Sequence, residues 1–204
     1  MNNLLNFSNF LLEKELPDEQ GKIISVLGPP GSGKGTVSSI LKDKYDFQVV
    51  KVKELLTSDP SKIVPDKVLG EREMLDLLKD KIKKLDPSKN IIFDGFPRNK
   101  KQSVLLDKAL GELGLGLNHA IYLNIDKAVA MKRLKKKADA ESKAFDEAAA
   151  DKRFQEYEVK TLPVIDQYNR SRKMIEMKDL GDAERVTRKI AKRLKISSES
   201  SDSK

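Results

Sequence analysis

Cysteine is absent from all 204 residues, so the chain can form no disulfide, no thiolate nucleophile and no zinc–thiolate cluster. The same absence agrees with a cytoplasmic address. A single histidine, His119, excludes a multi-histidine metal site and reads as structural. Aromatics make up 5% of the residues, too few for the stacking platforms of nucleic-acid modules, and no nucleic-acid partner is expected. No stretch approaches the roughly 18 consecutive apolar residues that a membrane helix requires. The opening "MNNLLNFSNFLLEKELPDEQ" also lacks the basic start and small-residue cleavage site of a secretory signal. Neither a membrane partner nor export is expected.

What the chain does have is charge. Charged residues are 35% of the total against 38% hydrophobic, with a formal net charge of +8. Between Glu71 and Asp86 the lysines alternate with acids, the pattern of a solvated helix face. The length suits one domain with a real core. Residues 1–20 read as an N-terminal extension whose leucines and phenylalanines dock on the body. Residues 21–195 form the domain, and 196–204, ending in "SSESSDSK", are expected to be a disordered tail.

Short β-type runs alternate with longer helical patterns, the sequence form of a parallel sheet with helical crossovers. Strands are predicted at 22–27, 47–52, 90–94, 120–125 and 173–177. Val37, Ile40, Leu41 and Tyr45 form one apolar helical stripe, and Val68, Leu75, Leu78, Ile82 and Leu85 another. Asp182 is the expected N-cap of a last helix that buries Val186, Ile190 and Leu194.

The stretch "LGPPGSGKGT", Leu27 to Thr36, concentrates flexible and rigid residues between a predicted strand and a predicted helix. Gly28, Gly31, Gly33 and Gly35 allow backbone angles closed to other residues, so that several N–H groups can face one polyphosphate. The helix N-terminus adds partial positive charge. Lys34 supplies a full charge for the outer phosphates, and Pro29 and Pro30 stiffen the entrance. Gly28-x-x-x-x-Gly33-Lys34 in this context is a P-loop. Further on, Asp94 closes a predicted buried strand at the sheet edge where open α/β folds bind ligands, and can hold waters around Mg²⁺. Arg98 can grip a phosphate with its bidentate fork.

Two strings carry a resemblance. Gly28-x-Pro30-Gly31-Ser32-Gly33-Lys34-Gly35-Thr36, with Gly35 where most P-loops have a hydroxyl, resembles the nucleoside monophosphate kinases, the family of adenylate kinase and UMP-CMP kinase. Asp94-Gly95-Phe96-Pro97-Arg98, followed by Gln102, is similar to that family's second signature. The resemblance implies a five-stranded parallel P-loop sheet in the order 2-3-1-4-5, flanked by helices, with a short lid at about 136–146. It implies ATP as phosphoryl donor, Mg²⁺ bound through Asp94 by way of water, and a monomer that works on nucleotides.

On the same basis Arg133 lies against the ATP base, Gly181 borders the nucleotide, and Arg153 grips the transferring phosphate. Gly95, Arg98 and Gln102 hold the acceptor, and Gln102 favours AMP, where pyrimidine kinases have asparagine. Lys137 and Lys143 stand nearest to two lid arginines of the family. They fit equally an exposed helix face paired with Asp139, Glu141 and Asp146. An ammonium is a point charge where guanidinium is a planar fork, so lysines there would slow chemistry.

The region 52–68 departs from the family pattern. It is shorter than the family's monophosphate-binding insertion, and Val52 and Thr57 match a threonine and an arginine that touch the monophosphate. Losing one charge-assisted contact costs about 1.5 to 3 kcal/mol, roughly 10- to 150-fold in affinity, which Lys51 or Lys53 could partly recover. Two functions remain open at this point: a kinase acting on AMP or another small acceptor, and a nucleotide-binding module of weak turnover that works through a partner.

Overall fold

The computed structural model describes residues 21–51, 70–178 and 181–198. Expectations for the N-terminal extension, for the 52–68 region with Val52, Lys53, Thr57 and Val68, and for the chain end from 199 lie outside these residues.

Five strands follow the chain as β1 (Ile23–Leu27), β2 (Gln48–Val50), β3 (Ile91–Asp94), β4 (His119–Leu123) and β5 (Met174–Met177). They form one parallel sheet in the order β2-β3-β1-β4-β5, as the resemblance implied. Each predicted strand exists, with no end shifted by more than two residues, because pairing with a neighbour rather than composition sets where a ladder stops. The central strand reads Ile-Ile-Ser-Val-Leu and is buried throughout, as a strand covered on both faces must be.

Alternation of side chains sorts the core into two layers. Ile23 and Leu27 of β1, Ile91 and Phe93 of β3 and Ala120 of β4 point to one face. Three helices cover it: α2 (Glu71–Lys83) through Leu75, Leu78 and Ile82, α3 (Lys100–Gly111) through Leu106 and Leu110, and α6 (Leu162–Arg170) through Val164 and Tyr168. Ile24, Val26, Ile92, Ile121 and Leu123 point to the other face. There α1 (Lys34–Tyr45) packs through Val37 and Leu41, and α7 (Ala183–Leu194) through Val186, Ile190 and Leu194. Of the predicted stripes, Val37, Leu41 and Tyr45 join the second layer and Leu75, Leu78, Ile82 and Leu85 the first, whereas Ile40 is in neither.

Two more helices, α4 (Lys127–Ala140) and α5 (Glu147–Glu156), follow β4 in the chain, and a π-helical turn, Tyr157–Thr161, joins α5 to α6. Short polar side chains start four of the helices: Asn99 accepts from Gln102 N, Asp126 from Ala128 N, Asp146 from Ala149 N and, as expected, Asp182 from Arg185 N. Ile196, assigned to the tail from sequence, packs against the second layer, and its N–H donates to Ala191 O at 3.0 Å.

Two positions on α3 test this layering. Leu106 is fully buried whereas Val104 is 62% exposed. Leu106→Ala is expected to lower unfolding free energy by about 2 to 5 kcal/mol in urea titrations, and Val104→Ala to change it by no more than about 0.5 kcal/mol.

Candidate active site

Parallel pairing brings the C-terminal ends of β1 and β3 side by side, with Val26 opposite Asp94. Gly95 N donates to Val26 O at 2.9 Å, which fastens the loop after β3 against the loop after β1. The two sequence signatures therefore open into one cleft of about 1210 Å³.

Its floor is the P-loop. Gly31 has φ +78°, and an added Cβ would lie 2.5 Å from Ala130 O, so only glycine fits between this turn and α4. Gly33, at φ +92°, caps α1 and turns the chain into the helix. Lys34 Nζ donates to Gly28 O and Pro29 O, each at 2.8 Å, and lies 3.4 Å from Ser32 Oγ. Burial pulls the Lys34 pKa down to about 8, an effect that Asp94 opposes and that Arg98 and Arg153 reinforce.

Pro30, Gly31, Ser32, Gly33, Lys34, Gly35 and Thr36 all border the cleft. Gly28 borders instead a smaller adjoining cavity of about 300 Å³. Asp94, Gly95, Arg98 and Gln102 line the large cleft from the β3 side, Arg133 and Lys137 from α4, Arg153 from α5, and Gly181 from the approach to α7. Arg98, Gln102 and Arg153 also border the smaller cavity.

Lys143 is the exception among the residues singled out from sequence. It borders neither cavity, is 70% exposed, and its ammonium donates to Glu141 Oε2 at 2.8 Å. The physical reason is local: α4 ends at Ala140, and the turn that follows directs Lys143 back onto the acid two positions before it. Lys137 reaches the cleft although it too lies 3.7 Å from Glu141. His119 opens β4 at the opposite edge of the sheet from the cleft, in keeping with a structural role.

Lys51 also lines the cleft, directly after β2, whose Val50 pairs with Phe93. The sequence offered Lys51 or Lys53 as a replacement contact, and Lys53 lies outside the described residues. Residues at the smaller cavity, Tyr157, Lys160 and Thr161, carried no sequence signal, because a π turn breaks the period that would have revealed their shared face.

Burial raises the Asp94 carboxyl pKa, and the nearby cations Lys34, Lys51 and Arg98 act in the opposite direction. A Cβ placed on Gly35 would lie 3.9 Å from Asp94 Oδ2, so the missing side chain leaves room beside the carboxylate. Among the described residues no cluster of three or more His, Asp or Glu could enclose a cation. This donor set fits Mg²⁺, which keeps several waters and takes few direct protein ligands.

A family model for adenylate kinase matches residues 26–173. The chain belongs to the adenylate kinase family. It is 31% identical over 181 residues to adenylate kinase of Xanthomonas euvesicatoria pv. vesicatoria (strain 85-10), covering 83% of this chain and 97% of that one. It is 30% identical over 188 residues to adenylate kinase of Leptospira biflexa serovar Patoc (strain Patoc 1 / Ames), covering 84% and 98%. With adenylate kinase of Rhizobium meliloti (strain 1021) it shares 29% over 189 residues. As an adenylate kinase family member it is a nucleotide-binding P-loop phosphotransferase, with ATP as donor and Mg²⁺ as its ion. Among the described residues no helix is long and apolar enough to cross a membrane.

The buried ammonium gives a proton-linked prediction. Below about pH 8 Lys34 holds its proton; above it the proton is lost. A triphosphate favours the charged form and raises the pKa, so MgATP binding between about pH 8 and 10 takes up a proton, and affinity falls up to about tenfold per pH unit. Calorimetry in buffers of different ionisation enthalpy should find uptake approaching one proton near pH 9, and none in Lys34→Met.

Proposed function

We propose that this adenylate kinase family member transfers the γ-phosphoryl group of ATP to AMP. The observation that carries the reading is the convergence of Lys34, Asp94, Arg98, Gln102 and Arg153 on one cleft. Phosphoryl transfer needs little covalent help from the protein; positioning and charge stabilisation supply nearly all of the rate. An oxygen of the AMP phosphate attacks the γ-phosphorus in line, the bond from that phosphorus to the β–γ bridging oxygen breaks, and two ADP molecules result. No side-chain nucleophile takes part.

Each residue then has a task. P-loop N–H groups and Lys34 hold the β- and γ-phosphates, for which Lys34 exchanges the Gly28 and Pro29 carbonyls. Mg²⁺, when bound, neutralises charge on those phosphates, and Asp94 holds its waters. Arg133 lies against the ATP base and Gly181 borders it. Arg98 fixes the AMP phosphate, and Arg153 with Lys137 stabilises the group in transit. Gln102 supports AMP over other acceptors: its Oε1 accepts from Arg98 N at 2.7 Å, which leaves Nε2 as the donor for an adenine ring nitrogen. Residues 136–146 serve as the lid that excludes water during transfer. One chain carries every residue of this set, consistent with a working monomer.

A coupled assay of ADP formation from ATP with AMP, CMP, UMP or GMP tests the reading. AMP should be the best acceptor, with kcat between about 1 and 10³ per second. Arg98→Ala should cost about 10³-fold or more in kcat/KM for AMP, and Arg98→Lys should rescue it only in part. Tight MgATP binding without transfer to any acceptor would instead identify a nucleotide-binding module. Lys143→Ala, at a position that borders neither cavity, should leave kcat within about twofold, since exposed ion pairs such as Lys143–Glu141 contribute little.

A further inference from the structure

The helix α5, the π turn and α6 run on without a break, since Glu156, Tyr157 and Leu162 at the joints all keep right-handed helical angles. A π turn inside an α-helical run recurs at functional sites. This one crosses the smaller cavity that Arg98 and Arg153 share. Thr161, at the junction of the π turn and α6, keeps right-handed helical angles, and its side chain caps nothing. Its Oγ1 donates to the carbonyl of Arg98 at 2.9 Å, across 63 positions of sequence, and the residue is only 8% exposed.

That bond completes a three-point hold on Arg98. Its backbone N–H donates to Gln102 Oε1 at 2.7 Å, its Nε–H donates to Gly95 O at 2.9 Å, and its carbonyl accepts from Thr161. The terminal Nη groups are the part of the guanidinium left to meet a phosphate. At the other end of the π turn, Tyr157 OH donates to Tyr122 OH on β4 at 3.0 Å. Tyr122 OH lies 3.3 Å from Asn124 Oδ1, and Asn124 Nδ2 donates to Glu176 Oε1 on β5 at 2.7 Å. The turn is therefore tied to the Arg98 loop at one end and to the sheet at the other. Arg153 lies one helical turn before Tyr157 on the same rod.

We propose that Thr161, with Tyr157, is a positioning residue that sets the separation of Arg98 and Arg153, so that two guanidinium forks meet one phosphate chain. The inference rests on the kinase reading above. A misplacement of about 1 Å in a transfer site costs on the order of 10²-fold in rate, whereas ground-state nucleotide binding on the P-loop does not pass through this turn. Both hydroxyls act through the arginines and touch no substrate in this scheme.

The test compares Thr161→Val, which keeps the shape and removes the donor, with Thr161→Ser, which keeps the donor. Thr161→Val should lower kcat about 10- to 100-fold with KM for MgATP within about twofold, and Thr161→Ser should stay within about threefold of wild type. Tyr157→Phe should show the same split as Thr161→Val, and it carries the test alone should Thr161→Val fail to fold by circular dichroism. A second readout needs no turnover: the Arg98 Nε–H resonance should exchange slowly with water in wild type and Thr161→Ser, and rapidly in Thr161→Val. A folded Thr161→Val with kcat within twofold of wild type, or Thr161→Ser as slow as Thr161→Val, would overturn the proposal. If wild type transfers no phosphoryl group to AMP, the kinase reading fails separately, and the Arg98 Nε–H comparison still decides whether Thr161 fixes the arginine.

Discussion

The ammonium of Lys34 is the point around which the site is arranged. It is buried at the end of the central strand, where an isolated charge is costly unless negative groups surround it. Gly28 O and Pro29 O supply partial charge from its own loop, and Asp94 supplies a full one from the neighbouring strand. None of this balance is possible unless β1 and β3 are adjacent and parallel, so the sheet order is a condition of the electrostatics.

Glycine has a particular place in that arrangement. At Gly31 a side chain would strike the α4 backbone, so the P-loop and the helix that bears Arg133 and Lys137 can sit this close only because there is none. At Gly35 the missing side chain leaves the Asp94 carboxylate open on one side. The same substitution that departs from the usual P-loop hydroxyl thus makes space where a hydrated ion fits.

On the acceptor side the logic changes from backbone to side chains. Arg98 is an exposed loop residue, yet each of its inner polar groups is engaged, by Gln102, by Gly95 and by Thr161. A guanidinium fixed in this way loses little freedom when it grips a phosphate, which is how positioning becomes rate. Lys143 shows the contrary case. With Glu141 two residues away, the local ion pair takes the charge out of the cleft.

Much of this was legible in the chain. The five strands, the two apolar helical stripes, the P-loop and the Asp94–Arg98 signature are local patterns, and local patterns survive folding because backbone geometry and side-chain periodicity act over a few residues. The resemblance to the nucleoside monophosphate kinases rested on two such strings, and the adenylate kinase family match over residues 26–173 agrees with it. The tertiary structure alone decided that Lys51 lines the cleft, that Lys143 does not, and that the Thr161 hydroxyl bonds to the Arg98 carbonyl. Those outcomes depend on which atoms arrive within about 3 Å of one another from distant parts of the chain. No spacing along the sequence encodes that distance; only the packing of α5, α6 and the β3 loop against one sheet does.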